Sequence, residues 1–380
     1  MERKQFNIGL YGPGWMGRVH ANSFKTAQYM FYPESKWNVD VKAVVGSSEA
    51  KGKAFAQRFG VPHAYTTYEE MLQNPEINVF CNTTPDDFHV QPTLDAIRAG
   101  KHVICEKPLA LNSKDAKEMV DAAEAAGVKH LTCFNYRFFP AVRLAYELIR
   151  QGHLGKIYHF AGSYYQDHGS FEDTLAEDIW YVSGSGIDQG ISTHLIDMSR
   201  FLLGDIATVS GMKKTYNTKR NSRSGVMETD TTEGFFTMLE FESGATGMMQ
   251  SLGVANGKQS EFSFEIFGSK GSIRWDNWDD PNTLHVYQPK TLTPGVRGWV
   301  KVVCTESDHP FMDIWWPKGH GLGWEHGHVN MLAHYLDCVA EDKAINPLGA
   351  TFKEGYEVEV IIETIHQSFK EGRRLPIEYT

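Results

Sequence analysis

The 380-residue sequence has no apolar run long enough to cross a membrane, no tract of clustered lysine or arginine, and no internal repeat or low-complexity stretch. The first absence excludes a protein built on membrane-spanning helices. The second excludes a nucleic-acid surface, which needs grouped positive charge against phosphates, and the net charge of −10 agrees. Cysteine is scarce too: Cys81, Cys105, Cys133, Cys304 and Cys338 are odd in number and far apart, and three of them lie in apolar runs. They do not make a disulfide framework, so reduced, packed thiols are expected. The opening Met-Glu-Arg-Lys-Gln leads into an apolar strand without a signal segment, and a cytoplasmic protein is the expectation.

What is present is ordinary for a globular protein, with 41% hydrophobic and 22% charged residues, in a chain long enough for two cores. An apolar run over 6–11 reads as a buried parallel strand, and the residues from Trp15 onward have helical spacing. Between them stands Gly12-Pro-Gly14-Trp15-Met16-Gly17, with the glycines spaced for a tight turn, for close approach of backbone to a pyrophosphate, and for packing of helix on strand. A dinucleotide is the ligand implied. After a second strand over 39–45, Gly46-Ser47-Ser48 replaces the acidic residue that an NAD enzyme usually directs at its ribose. With no carboxylate to repel a 2′-phosphate, and with Lys51 nearby, NAD or NADP is admitted and NADP is slightly preferred.

Strand and helix alternate as far as a strand over 129–134, which predicts a parallel sheet with crossover helices over 1–135. The loops at the carboxyl ends of its strands are where such a sheet binds its ligand. Two of them carry chemistry: Thr83-Thr84-Pro85 to His89, and Cys105-Glu106-Lys107-Pro108. A lysine there projects toward the nicotinamide edge, where its charge can hold a substrate hydroxyl as hydride leaves. From 136 to 380 the pattern shifts to consecutive strands, at 157–165, 235–241, 246–251 and 261–267, with a covering helix at 193–203. This is an α+β domain on a mostly antiparallel open sheet.

Gly12-x-Gly14-x-x-Gly17, Thr84-Pro85-x-x-x-His89 and Glu106-Lys107-Pro108 together resemble the glucose-fructose oxidoreductase / inositol dehydrogenase / MocA (Gfo/Idh/MocA) family of NAD(P)-dependent sugar and polyol oxidoreductases. Phe134-Asn135-Tyr136-Arg137, Leu154-Gly155-Lys156-Ile157, His194-Leu-Ile-Asp197 and Phe267-Gly268-Ser-Lys270-Gly271-Ser272 match its landmarks, and Gly323-Trp324-Glu325-His326 resembles a branch with inositol- and levoglucosan-type dehydrogenases. The resemblance implies a Rossmann domain followed by a substrate and oligomerisation domain, a carbohydrate substrate, and a homodimer or homotetramer through the second sheet. It also implies catalysis by Lys107, with Trp15, Met16, Ser47, Ser48, Thr84, Pro85, His89 and Glu106 joining the glycines at the cofactor.

Relatives place an aspartate four residues before a catalytic histidine, yet here that position is Gly190, and Asp188 lies two residues earlier. His194 remains the candidate general base, suited to moving a proton near neutral pH, with Asp188 as a third member if a local shift brings it back. Asn135, Tyr136, Arg137, Asp167 and His168 follow strand ends and are candidates for the sugar site, and Trp315 and Trp316 offer flat faces for stacking, one of them expected in the core. His320, His326 and His328 fall in a glycine-rich stretch that reads as a loop, without cysteine or a helical His-x-x-x-His spacing, so no metal is expected. Two other readings stay open: a relative that keeps its cofactor bound and uses transient oxidation to cleave or exchange sugars, and a nucleotide-sensing regulator without chemistry.

Overall fold

The computed structural model describes residues 3–31, 35–171, 173–182, 184–289 and 297–379. The first elements in chain order are β1 (Lys4–Tyr11), α1 (Trp15–Met30), β2 (Trp37–Val45), α2 (Glu49–Phe59), β3 (His63–Tyr65), α3 (Tyr68–Leu72), β4 (Val79–Asn82), α4 (Val90–Arg98), β5 (His102–Cys105), α5 (Ser113–Ala126) and β6 (His130–Thr132). Next come α6 (Pro140–Arg150), β7 (Ile157–Tyr165), α7 (Ile187–Gly190), α8 (Ser192–Leu203), β8 (Ile206–Lys214), β9 (Lys219–Ser222) and β10 (Gly225–Glu228). The chain closes with β11 (Gly234–Phe241), β12 (Thr246–Leu252), β13 (Glu261–Gly268), β14 (Ser272–Asp276), β15 (Thr283–Tyr287), β16 (Val300–Val303), α9 (Trp324–Ala340), α10 (Phe352–Glu371) and β17 (Leu375–Pro376).

Two units result, one of residues 1–138 and 323–359, the other of 139–322 and 360–380. The sequence leads to a division into 1–135 and 136–380; in the structure the chain returns to its first unit over residues 323–359. The return has a physical cause in α9, whose Leu332, Tyr335 and Leu336 are fully buried, each leucine contributing about 1.5–3 kcal/mol. Polar ties fix the helix: Trp37 Nε1 donates to Asp337 Oδ1 at 2.7 Å, and the Tyr335 hydroxyl to the Lys129 carbonyl at 3.0 Å.

The sheet of the first unit runs β3-β2-β1-β4-β5-β6 with every pairing parallel. Phe6, Ile8 and Leu10 of β1 are fully buried, as a strand covered on both faces requires. Strand order reverses between β1 and β4, so the loops at their carboxyl ends part and leave a crevice. Three of the helices that return the chain, α2, α3 and α5, begin at side-chain caps, Ser48, Thr67 and Asn112, and α2 and α5 stop at left-handed Gly60 and Gly127.

The second unit is a sheet in the order β16-β15-β14-β13-β7-β12-β11-β8-β17, antiparallel except for the β7–β12 pair. Helix α8 covers one face. A Cβ on Gly162 of β7 would lie 2.6 Å from Leu195 Cδ1, so glycine lets helix and sheet close up. Phe160 and Tyr164 on the same strand are buried beneath it. The opposite face leaves Met212, Met238 and Met248 exposed. Among the described residues no helix is long and apolar enough to cross a membrane.

Candidate active site

The turn after β1 needs its glycines for two different reasons. A Cβ on Gly17 would lie 2.0 Å from the Gly12 carbonyl oxygen, and Gly12 itself has φ +102° with the Thr83 backbone against it. At Gly14 an added Cβ meets no protein atom within 4 Å, so the space in front of the helix start is open. Gly14 is the N-cap of α1, with no side-chain cap and no acidic residue in the first turn, leaving free N–H groups and a positive helix end toward an anion. Trp15, 63% exposed, stacks on Trp324 at 5.3 Å with the ring planes 8° apart. At the end of β2, Ser48 caps α2 and Lys51 Nζ donates to Ser47 Oγ at 3.2 Å.

The loops after β4 and β5 are tied to this turn and to each other. Thr83 Oγ1 donates to the Gly12 carbonyl at 2.7 Å, and Thr84 Oγ1 to Asn82 Oδ1 at 2.6 Å. His89 is fully buried, with Nδ1 2.7 Å from the Pro108 carbonyl and Nε2 3.0 Å from the Thr84 carbonyl. Two carbonyls can be satisfied only by two N–H groups, so the ring is an imidazolium. Burial opposes that charge, but Cys105, Asp86 and the Pro108 carbonyl outweigh it and raise the pKa to about 10. His89 thus forms a buried brace between the loop of Thr84-Pro85 and the lysine loop.

Glu106 is 4% exposed; its Oε1 lies 2.8 Å from His20 Nε2, and its Oε2 accepts from the Lys107 backbone N–H at 3.2 Å. Burial works against its charge, yet the hydrogen bond and charge of His20 hold the carboxyl at about 2. On the other side of the His20 ring, Nδ1 is 3.3 Å from Cys81 Sγ, and burial keeps that thiol protonated by pushing its pKa well up. Sequence reasoning missed His20; its one signal was its place on α1, three residues past Gly17, facing the sheet.

His326 and His328 also differ from expectation, since both lie on α9 rather than in a loop. His328 is 1% exposed, and its ring centroid is 5.6 Å from that of His20.

Three of the expected sugar contacts belong to the first unit and are buried there: Asn135, Tyr136 and Arg137. Arg137 Nη1 donates to the Pro347 carbonyl at 3.2 Å, which makes it a strut for the returning segment. Asn135 Nδ2 has no hydrogen-bond partner among the described residues. In the second unit Asp167 is buried, His168 is exposed, and the tryptophan pair separates, Trp315 being 8% exposed and Trp316 38%. Trp315 is thus the core member, and the accessible face belongs to Trp316.

The position of the missing aspartate is filled. A Cβ on Gly190 would lie 2.1 Å from Cη2 and 2.3 Å from Cζ3 of Trp180, whose indole covers the glycine and whose Nε1 donates to Gln166 Oε1 at 3.1 Å. Ile191 breaks the helix between α7 and α8, so Asp188 and His194 stand on separate helices. Asp188 does not swing back: its Oδ2 accepts from Thr232 Oγ1 at 3.3 Å and lies 2.8 Å from His366 Nε2. His194, 8% exposed, packs with its ring 6.2 Å from that of Tyr164.

Residues 6–134 match the oxidoreductase family with an NAD-binding Rossmann fold, and residues 142–274 match the GFO/IDH/MocA C-terminal domain. The chain is 30% identical to a levoglucosan dehydrogenase of Pseudarthrobacter phenanthrenivorans, with 96% of each chain covered. It is 25% identical to a myo-inositol 2-dehydrogenase of Thermotoga maritima over 71% of this chain and 75% of that one. A solved levoglucosan dehydrogenase in complex with NADH and levoglucosan superposes with a TM-score of 0.92 at 29% identity, covering 99% of this chain and 100% of the other. Likeness that runs through both units, and not the glycine turn alone, makes this chain a member of the GFO/IDH/MocA family of oxidoreductases.

Proposed function

We propose that the chain moves a hydride between the carbon of a secondary hydroxyl on a sugar or polyol and a nicotinamide dinucleotide. The observation that carries the proposal is the lysine loop: Lys107 leaves the end of β5 with its neighbour Glu106 anchored on His20 and its following residue Pro108 held by His89. That bracing gives the lysine a fixed place beside the crevice of the sheet. Gly14 and the uncapped start of α1 fit a pyrophosphate, with Gly12, Trp15, Met16 and Gly17 completing the turn, Ser47 and Ser48 at the ribose end, and Thr84 and Pro85 facing across it. Bound there, the cofactor supplies the hydride acceptor. Lys107 holds the substrate oxygen and favours its alkoxide character, and a ring nitrogen of His194 takes the proton. Gly190 removes the carboxylate that relatives offer this histidine, and Asp188 is committed elsewhere.

No carboxylate closes the end of β2, and Lys51 already sits on Ser47, so NADP is accepted alongside NAD. The related levoglucosan and inositol dehydrogenases make anhydrosugars and cyclitols the first substrates to assay. The exposed methionine face of the second sheet is the surface through which we propose that a homodimer or homotetramer forms, read by light scattering of the purified protein. A panel of monosaccharides, inositols, anhydrosugars and glycosides with each cofactor tests the assignment. Stoichiometric reduced nicotinamide supports a dehydrogenase; product formed without net reduced cofactor replaces it with the cofactor-retaining reading, and a panel without turnover of any kind overturns both.

A further inference from the structure

His20 on α1, Glu106 in the lysine loop and His328 on α9 bring one ligand atom each to within 4.8 Å of one another, all inside the first unit. They are 0%, 4% and 1% exposed. Neither Nδ1 nor Nε2 of His328 has a hydrogen-bond partner among the described residues. A buried imidazole with both nitrogens unpaired points to something that pairs with it. We propose that these three side chains hold one divalent transition-metal ion of the zinc class.

Two imidazoles and a carboxylate are a donor set that zinc takes, at about 2.0–2.2 Å per bond. Bonds of that length place the ligand atoms about 3.3 Å apart in a tetrahedral arrangement. His20 and Glu106, now 2.8 Å apart, part slightly, and His328 closes in. His20 Nε2 gives up its hydrogen bond to Glu106 and turns its lone pair to the metal, while Nδ1 carries the ring proton toward Cys81 Sγ at 3.3 Å. Glu106 supplies the compensating negative charge. The ion ties the first helix, the lysine loop and the returning helix together, and its effect on Lys107 runs through the Glu106 carboxylate that accepts from the Lys107 backbone.

Tag-free protein is stripped with chelator and titrated with zinc, and its metal content is measured after dialysis. Elemental analysis is expected to give one zinc per chain and calorimetry a raised Tm. Cobalt in place of zinc, with one water completing the three side-chain ligands, is expected to give the visible bands of a four-coordinate site, a measurement that needs no variant. His328→Phe keeps a flat ring against Trp324, 4.5 Å away in the wild type, and is expected to weaken zinc binding by about 100-fold or more with an unchanged circular dichroism spectrum. Substoichiometric zinc in the wild type, absent cobalt bands, or equal binding by His328→Phe overturns the site and leaves a buried water as the partner of His328.

Discussion

The loops of the first unit and the α7–α8 segment of the second impose their residue choices in opposite ways. At Gly17 the obstacle to a side chain is a backbone oxygen five residues away, and at His89 the partners are two backbone carbonyls. At Gly190 the obstacle is a side chain, an indole 39% exposed that reaches in from Trp180. Backbone cannot step aside, so the first region tolerates little change. A partly exposed ring can, so the second region can be remodelled. The difference says which region resists substitution and which can yield to it.

Four perturbations test that contrast. Lys107→Met is expected to lower kcat by about 10²–10⁴ while NADH still binds, measured by steady-state kinetics and fluorescence titration; full turnover in a folded variant would remove Lys107 from the mechanism. Gly17→Ala forces a Cβ onto the Gly12 carbonyl and should cost about 4 kcal/mol together with cofactor binding, read by denaturant unfolding.

His130 is a pH-dependent test of the same rigid unit. Its Nδ1 accepts from the Phe352 backbone N–H at 2.9 Å, and burial lowers its pKa from 6.5 to about 4. Since the unfolded chain binds that proton first, stability is complete above pH 6.5 and declines as the pH falls to about 4, by about 3 kcal/mol. His130→Gln should flatten that stretch of the Tm profile. The smallest effect is expected at Gly190→Asp, about 1–2 kcal/mol, because Trp180 can swing outward. Adding Trp180→Ala should recover most of the loss, and a double variant no more stable than the single one would show that backbone, not the indole, excludes the aspartate.

The parts of the molecule legible in the sequence are those decided by near neighbours. The glycine turn, the parallel strands and the lysine loop each carry their cause within a few residues, and the family resemblance supplied the role of Lys107. Four features depend on contacts that no local pattern announces. The return of α9 to the first sheet shows in the chain only as an apolar helix with no stated partner. His328 looked like loop until Trp324–Ala340 proved helical, and its approach to His20 joins positions 308 apart in number. Trp180 over Gly190 has no pattern at all. Trp315 and Trp316 were separable only by their surroundings, since adjacent residues of one type carry no difference in themselves.

The parallel rings of Trp15 and Trp324 have a use beyond packing. One of them stands inside the glycine turn, exposed, at the place where a dinucleotide would arrive. Their emission overlaps the absorption of reduced nicotinamide, so a dinucleotide bound at that turn would quench it and report its own occupancy. Trp324→Phe would leave a single emitter at that turn and show how much of the signal the pair shares.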